Sequence, residues 1–517
     1  MGLACDSILR THRRPRGPRA PETIRRSATF AIAARSRDRG IRAGSERRDH
    51  PPREVATRSA PNNRRKLRER LPRHDRQSNA TMRRPRCLEG VAMSESAVPT
   101  TEQEPPLPRF GALGYANYRQ FWLANVARVF GLQFRFIGAG WLTHLLTPSP
   151  VWLGIVGLAA AIPTIVLSVP AGTLADRFDN RKLLVWSQAL TALCMFAMAF
   201  LVVAELATVA IVVIWSVIVG ALLALGTPAQ NAILPRLIEM RATASAVAYM
   251  SAIWNVMRIV GPAGAGLLIS IIGPGQAFTV TGLAFAVSVV LLMRLRLEPI
   301  AARTTQSGGG MLEGFRFVFG NRLFFATIGL SFFTSLFGMS YVVLLPAFTV
   351  ILHTDARGFG WMEAAAGLGS LLGTVAIVRL RQGIPQGPVM LVSAALFGVL
   401  IALFTAATTL PIAMLFLFLG GVASSLYLNL GMTALQLQVP NALRGRVMGI
   451  WSMTYFLAAA GGLPAAMVAT WIGTPAAVAL GALSVTAFAI LLLVFVPSLR
   501  APGSMDAPLV TAARGSS

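Results

Sequence analysis

Between residues 118 and 497 the chain is a succession of long apolar runs, each parted from the next by a few polar residues. A bilayer core about 30 Å thick needs about 20 apolar residues for a helix to cross it, and the backbone must satisfy itself within the segment. Twelve runs meet that length: 121–146, 152–175, 183–204, 208–227, 245–272, 276–294, 323–347, 359–379, 388–407, 410–434, 446–472 and 475–496. They are too long, and alternate too little, for the strands of a membrane barrel. The splits at Gly273-Pro274-Gly275 and Gly473-Thr474-Pro475 are tight turns suited to short hairpins. The expected fold is an all-α membrane protein with twelve transmembrane helices. Only 13% of residues are charged, against about 25% in soluble domains, which argues against a soluble enzyme. No nucleotide loop or nucleophile constellation stands out either. Three cysteines (Cys5, Cys87, Cys194) and five histidines form no cluster of metal-ligand spacing.

Charge fixes the expected orientation. With even-numbered connections placed inside, the inner loops hold Arg177, Arg181, Lys182, Arg236, Arg241, Arg294, Arg296, Arg303, Arg316, Arg322, Arg379, Arg381, Arg444 and Arg446. The outer loops hold Arg357 alone. Lys and Arg are retained on the cytosolic side, so both termini are expected there, in a cell (inner or plasma) membrane.

The chain then divides as six spans plus six. The expected domains are a leader and polar terminus (1–108), a first bundle (109–294), a cytosolic linker (295–322), a second bundle (323–499) and a disordered tail (500–517). The linker contains a flexible Gly- and Ser-rich stretch, 304–310, and then an amphipathic segment, 311–319, that reads as a helix lying on the membrane face. Leu234-Pro235-Arg236 before span five echoes Val439-Pro440 before span eleven, a weak parallel repeat of a known transporter plan. Residues 1–92 hold 25 basic and 9 acidic residues, a net of +16 out of +26 for the chain. Three readings of this Arg-rich leader stay open: a start assigned too early, with the true start near Met93; a disordered extension; or a targeting or nucleic-acid arm. Like-charge runs are usually just solvated, and no nucleic-acid partner is expected.

Between spans two and three stands Gly172-Thr173-Leu174-Ala175-Asp176-Arg177-Phe178-Asp179-Asn180-Arg181-Lys182-Leu183-Leu184. This resembles the signature loop of the major facilitator superfamily, G-x-L-A-D-R-x-G-R-K-x-x-L, and occupies the same place. Asp179 stands where the pattern has its second Gly, and Asn180 where it has the first Arg of the pair. With Arg258-Ile259-Val260-Gly261-Pro262 and Arg444-Gly445-Arg446, the chain is similar to the branch of transmembrane secretion effectors that holds the enterobactin exporter and macrolide efflux pumps. The resemblance implies two six-helix bundles that rock about a central cavity. It makes Gly172, Asp176, Arg177 and Arg181 a gating loop, with Asp176 latching onto the start of span eleven near residues 444–448. The plainer reading is a solvated loop that enforces topology. Arg258, Gly261, Pro262, Arg444 and Arg446 are expected at the seam of the bundles, and Gly261-Pro262-Ala263-Gly264-Ala265-Gly266 is similar to an antiporter motif.

Ionisable residues inside a bilayer are costly and by default functional. Arg128 and Arg135 in span one are seven apart, on one face with Asn125. The resemblance places span one on the cavity, so these three are candidates for an anionic or catechol-bearing substrate. Alternatively each arginine bonds carbonyls or Glu363. Weaker cavity candidates are Trp215, Phe332, Phe333, Tyr341, Tyr427, Asn429 and Gln436, which could equally be packing residues. Glu363 is the preferred proton carrier, ahead of Glu205, His144 and Asp176. The expected function is secondary active export of small amphipathic or anionic molecules, such as siderophores or drugs. It needs no cofactor or metal and draws on the proton gradient. The expected partners are the lipid bilayer and a small-molecule substrate, with the protein acting as a monomer. Inward metabolite transport and a non-transporting receptor or scaffold remain the alternatives.

Overall fold

The structure is a computed structural model describing residues 110–296, 311–380 and 385–499. The leader 1–108, Met93, the linker stretch 304–310, Arg303, Arg381 and the tail 500–517 lie outside the described residues. The rest is helical, with no strand among the described residues. The helices are α1 (Ala116–Leu146), α2 (Pro150–Arg177), α3 (Asn180–Val203), α4 (Val209–Ile233), α5 (Thr243–Ile272), α6 (Pro274–Met293), α7 (Met311–Gly320), α8 (Arg322–Phe333), α9 (Ser340–Leu344) and α10 (Phe348–Ile351). Then follow α11 (Ala356–Leu380), α12 (Gln386–Thr405), α13 (Leu410–Gln438), α14 (Asn441–Ile472) and α15 (Thr474–Phe495).

Ten candidate spans among the described residues are long and apolar enough to cross a membrane. The long helices outside that set, α1 and α14, carry Arg119, Arg128 and Arg135 and Arg444 and Arg446 respectively. The segment Arg322–Ile351 counts as one candidate span, yet it is not a regular helix. It makes a π-turn over Thr334–Gly338, where the Met339 amide reaches the Thr334 carbonyl at 2.9 Å, five residues back.

Polar residues set where helices begin. Asp179 accepts from the Arg181 and Lys182 amides ahead of α3, Thr208 from Ile211 ahead of α4, and Asn321 from Leu323 ahead of α8. Asp355 accepts from the Arg357 and Gly358 amides ahead of α11. Such caps satisfy amides that have no partner inside the helix, at about 1 kcal/mol each. Gly273 and Gly473 each end one helix and start the next, at φ of 84° and 85°. Only glycine adopts that backbone cheaply. The same one-residue turn thus stands between α5 and α6 and between α14 and α15.

Helices α1 to α6 pack on one another, and α8 to α15 do likewise. The start of α1 is tied into its own group: Tyr118 Oη donates to the Ala246 carbonyl at 2.9 Å, and Gln120 donates to Leu291 at 3.0 Å. The two groups meet where α2 crosses α14 and α5 crosses α11. Both crossings are backbone-close. A methyl group on Gly154 would lie 2.7 Å from the Leu463 Cα, and one on Gly266 would lie 2.4 Å from the Ala356 carbonyl oxygen. These contacts use the first half of α2 and the second half of α5, remote from the Asp176 loop. At the loop end the groups part: a methyl on Gly172 or Gly445 would meet nothing within 4 Å. The close crossings therefore lie at the far end, and these two glycines of the loop end make none.

Candidate functional site

The loop that names the gate is built from two helix ends. Arg177 closes α2, and Asp179 caps α3. Asp179 therefore fills the place of the pattern's second Gly for a local reason. Arg181 does not point across the seam. Its Nε donates to the Leu292 carbonyl at 3.1 Å and its Nη2 to that of Met293, which closes the last turn of α6 within the same group. Asp176 and Arg177 are exposed, and Asp176 has no hydrogen bond or ion pair among the described residues. Across the opening, Arg444 is exposed at the start of α14 and Arg446 is half-buried. The helix α7 lies against that start: a methyl on Gly314 would sit 2.9 Å from the Arg446 Cβ.

The arginines of α1 part company. Arg128 is buried, and its Nε donates to Asn125 Oδ1 at 3.2 Å; Gln230 donates to the same oxygen at 2.7 Å. Gln188 and Ser288 close this cluster from α3 and α6. Arg128 and Asn125 thus belong to the interior of the first group. They do not share the surroundings of Arg135, although the three stand on one face of α1. Along that face α3 and α6 give way to α2, α9 and α11, while α4 lies beside both arginines.

Arg135 lines a cavity of about 150 Å³ with Leu153, Val156, Gly157, Ser216, Val343 and Phe359. Residues of both groups form its walls. Arg135 Nε and Ser216 Oγ are buried, and neither has a hydrogen-bond partner among the described residues. The walls are otherwise apolar. Drug-sized sites run to roughly 300–1,000 Å³, and this cavity is smaller than those.

Three expected cavity aromatics pack elsewhere. Trp215 donates to the Cys194 carbonyl at 3.0 Å and meets Phe278 edge-on, inside the first group. Phe333 stacks on Phe488 of α15, with ring centres 4.5 Å apart. Tyr427 is buried 6.0 Å from the Phe397 ring centre. Tyr341 lies against Phe397 and Phe404. Glu363 Oε1 is buried without a hydrogen-bond partner among the described residues. The charge that reaches it is Arg258, which makes no ion pair with it.

At the seam, Gly261 packs on Gln133 of α1, while the Pro262 carbonyl faces Gly360 of α11. Arg258 Nη1 donates to Ser370 Oγ at 3.3 Å, across the seam. Below it runs a hydroxyl and amide ladder, of which the sequence singled out Asn429 but not Ser370, Thr374 or Ser425. Thr374 Oγ1 and Ser425 Oγ are 2.8 Å apart, and Asn429 Nδ2 donates to Ser425 Oγ at 3.0 Å. Glu363, Ser370 and Thr374 fall at spacings of seven and eleven, one face of α11, and that spacing was the available signal. At the far end, Arg357 pairs with Asp355 at 3.7 Å and donates to Ser270 of α5 at 2.6 Å.

Residues 109–511 match the model of a family described as Transmembrane secretion effector. Among curated relatives, the chain is similar to the Staphyloferrin A transporter of Staphylococcus aureus, 28% identical over 51% of this chain and 67% of that one. It is similar to the Multidrug efflux pump Tap of Mycolicibacterium fortuitum, 25% identical over 62% and 81%. It is similar to the Enterobactin exporter EntS of Citrobacter koseri, 24% identical over 65% and 80%. Among solved structures, the nucleoside transporter NupG aligns with a TM-score of 0.60 at 14% identity, covering 73% of this chain and 98% of that one. A bacterial homologue of the lysosomal transporter Spinster, inward-facing and unoccupied, aligns with a TM-score of 0.55 at 18% identity, covering 73% and 95%. Both likenesses concern the fold.

Proposed function

The chain belongs to the transmembrane secretion effector family, transporters of the major facilitator type and not enzymes, and from that premise we propose that it exports small amphipathic or anionic molecules by alternating access. It is a multi-pass plasma-membrane protein. In this reading α1 and α14 also cross, giving twelve spans. Both termini are cytosolic, the two bundles are 109–294 and 323–499 joined by 295–322, and the protein acts as a monomer in the lipid bilayer. The loop end is then cytosolic, and the conformation is inward-open.

The observation that carries the proposal is the pair Arg135 and Ser216, which line one apolar cavity between the two groups and whose Nε and Oγ are buried and unpartnered among the described residues. A buried polar atom left without a partner costs about 1–3 kcal/mol. An acceptor-rich substrate group would relieve both at once, and the apolar walls suit the rest of an amphipathic molecule. Relatives named as siderophore and drug transporters support that class and the outward direction.

The proton gradient supplies the energy in this reading, with Glu363 as carrier. It sits on the α11 face that the α5 seam opens and closes, so its access alternates with the gates. Tolerance tests in a pump-deleted host decide direction: raised tolerance to an amphipathic drug means export, and raised sensitivity means import. In inverted vesicles, E363Q should abolish stimulation by a pH gradient at unchanged protein level. Full stimulation in E363Q would move the coupling elsewhere.

A further inference from the structure

Arg258 does not behave as a packing residue. It stands midway along α5, and its stem lies on α11 where Gly367 has no side chain; a methyl there would be 3.3 Å from the Arg258 Cγ and 2.6 Å from its carbonyl oxygen. The residue is exposed nonetheless. No carboxylate comes within ion-pair distance of it among the described residues. Its one hydrogen bond is to a neutral hydroxyl, Ser370 Oγ, at 3.3 Å. An arginine at mid-membrane depth is costly unless something anionic answers it.

We propose that Arg258, with the Ser370–Thr374–Asn429 ladder beside it, is a second anion anchor of the transport site, and that the substrate class is therefore a hydroxylated polycarboxylate. This rests on the transport reading above. The geometry has three parts. The guanidinium offers a planar fork that matches a carboxylate with two parallel hydrogen bonds. The ladder supplies Thr374 and Ser425 hydroxyls and the Asn429 amide, partners for hydroxyl groups on the same molecule. The Arg135 cavity adjoins it, since Gly261, one turn along α5 from Arg258, packs on Gln133, two residues before Arg135 on α1. Two cations that adjoin suit a molecule with more than one acidic group better than a single anion.

The placement also gives binding a consequence. Arg258 belongs to the first group and Ser370 to the second, so their bond ties the groups together at the inner edge of the closed seam. A carboxylate that takes the guanidinium fork removes that tie, and binding then loosens the seam that must open for release.

The test uses the full chain in nanodiscs and two fluorescent probes, the polycarboxylate calcein and the cation ethidium, followed by anisotropy. The parent should bind calcein. R258Q should weaken it by at least about tenfold, the usual cost of losing a charged hydrogen bond, and leave ethidium within twofold. R258K should fall between, because it keeps the charge and loses the fork. Should R258Q fail to fold, N429D carries the test: a carboxylate placed in the ladder should repel calcein and spare ethidium. No calcein binding by the parent, unchanged calcein binding in R258Q, or equal loss of both probes each overturns the proposal. Ethidium efflux from cells without calcein binding would leave export standing and remove this site. Calcein binding without efflux of either probe would do the reverse.

Discussion

Gly266 on α5 and Gly360 on α11 meet backbone to backbone: a methyl group on Gly360 would lie 3.1 Å from the Gly266 Cα and 2.4 Å from the Pro262 carbonyl oxygen. Backbone is not free to yield as a side-chain tip would be, so this crossing tolerates no added atom. The far-end seal is a close-packed contact of small residues, of the kind that drives helix association in lipid.

G360V should therefore wedge the seal. Val343 borders the seam, and a cysteine there, in a chain whose Cys5, Cys87 and Cys194 are serine, reports access from outside. An impermeant maleimide added to intact cells should label it at least about tenfold more in G360V, equivalent to a shift of about 1.4 kcal/mol between the two states. Labelling equal to the parent would mean that the seam is not what closes this end.

D176N should act at the opposite gate. Asp176 is exposed and unpartnered among the described residues, so folding should be unchanged. The bond it would make to the start of α14 forms only when the loop end closes, and is worth about 0.3–1 kcal/mol, up to about 2 if partly buried. Transport should slow, and a cysteine at Leu443 should label more readily from the cytosol. Unchanged labelling together with unchanged transport would return Asp176 to a solvated loop.

D179A isolates the local role of the same loop. Losing the α3 cap should cost about 1 kcal/mol, visible as a lower melting temperature in detergent. R181Q should lower it too, because α6 loses the donors to Leu292 and Met293. Both variants, once folded, should keep the parent's ratio of inward to outward accessibility. A changed ratio at unchanged stability would make them gate residues after all.

Arg128 and Arg135 should now give different phenotypes. R128Q unsettles the shared Asn125 and Gln230 bonds inside one bundle. It should reduce protein level and all transport alike. R135Q should keep its level and lose anionic substrates selectively, by about tenfold. Identical profiles for the two variants would contradict the separation of their surroundings.

Glu205 holds φ at 60° just after α3, in a Schellman-type end where the Leu206 amide returns to the Leu201 carbonyl at 2.9 Å. That conformation costs a side-chain-bearing residue roughly 1–2 kcal/mol, partly offset by the greater unfolded freedom of glycine. E205G should therefore raise stability by about 0.5–1 kcal/mol without altering transport. Lost proton coupling in E205G would restore Glu205 as a carrier.

Much of the architecture was legible because it is periodic and local. Apolar runs gave the helices to within about a turn, apart from longer overhangs such as the end of α4 at Ile233 and the starts of α1 and α14. Gly273 and Gly473 marked turns that only glycine makes cheaply. The site was legible in its residue types and not in its directions. Phe333, Trp215 and Tyr427 are cavity candidates by composition, but which way an aromatic side chain points in a membrane helix depends on neighbours on other helices. Asp179 looked like a departure from a pattern, and its role as a helix cap follows only from the register of α3. Arg258 looked structural because its motif lies at a seam; its exposure depends on where that seam ends.

The π-turn at Thr334–Gly338 makes the membrane segment Arg322–Ile351 read in two phases. A residue advances an α-helix by roughly 100°, and a wider turn that takes in one extra residue offsets everything after it from everything before. Phe333 therefore turns to α15 while Tyr341 turns to Phe397 and Phe404 of α12. Shortening that turn by one residue would leave the segment's composition and hydropathy almost untouched. It would nonetheless rotate one half of the helix against the other and retire Tyr341 from its place against Phe397 and Phe404. A single codon here would accomplish what no single substitution in the segment could.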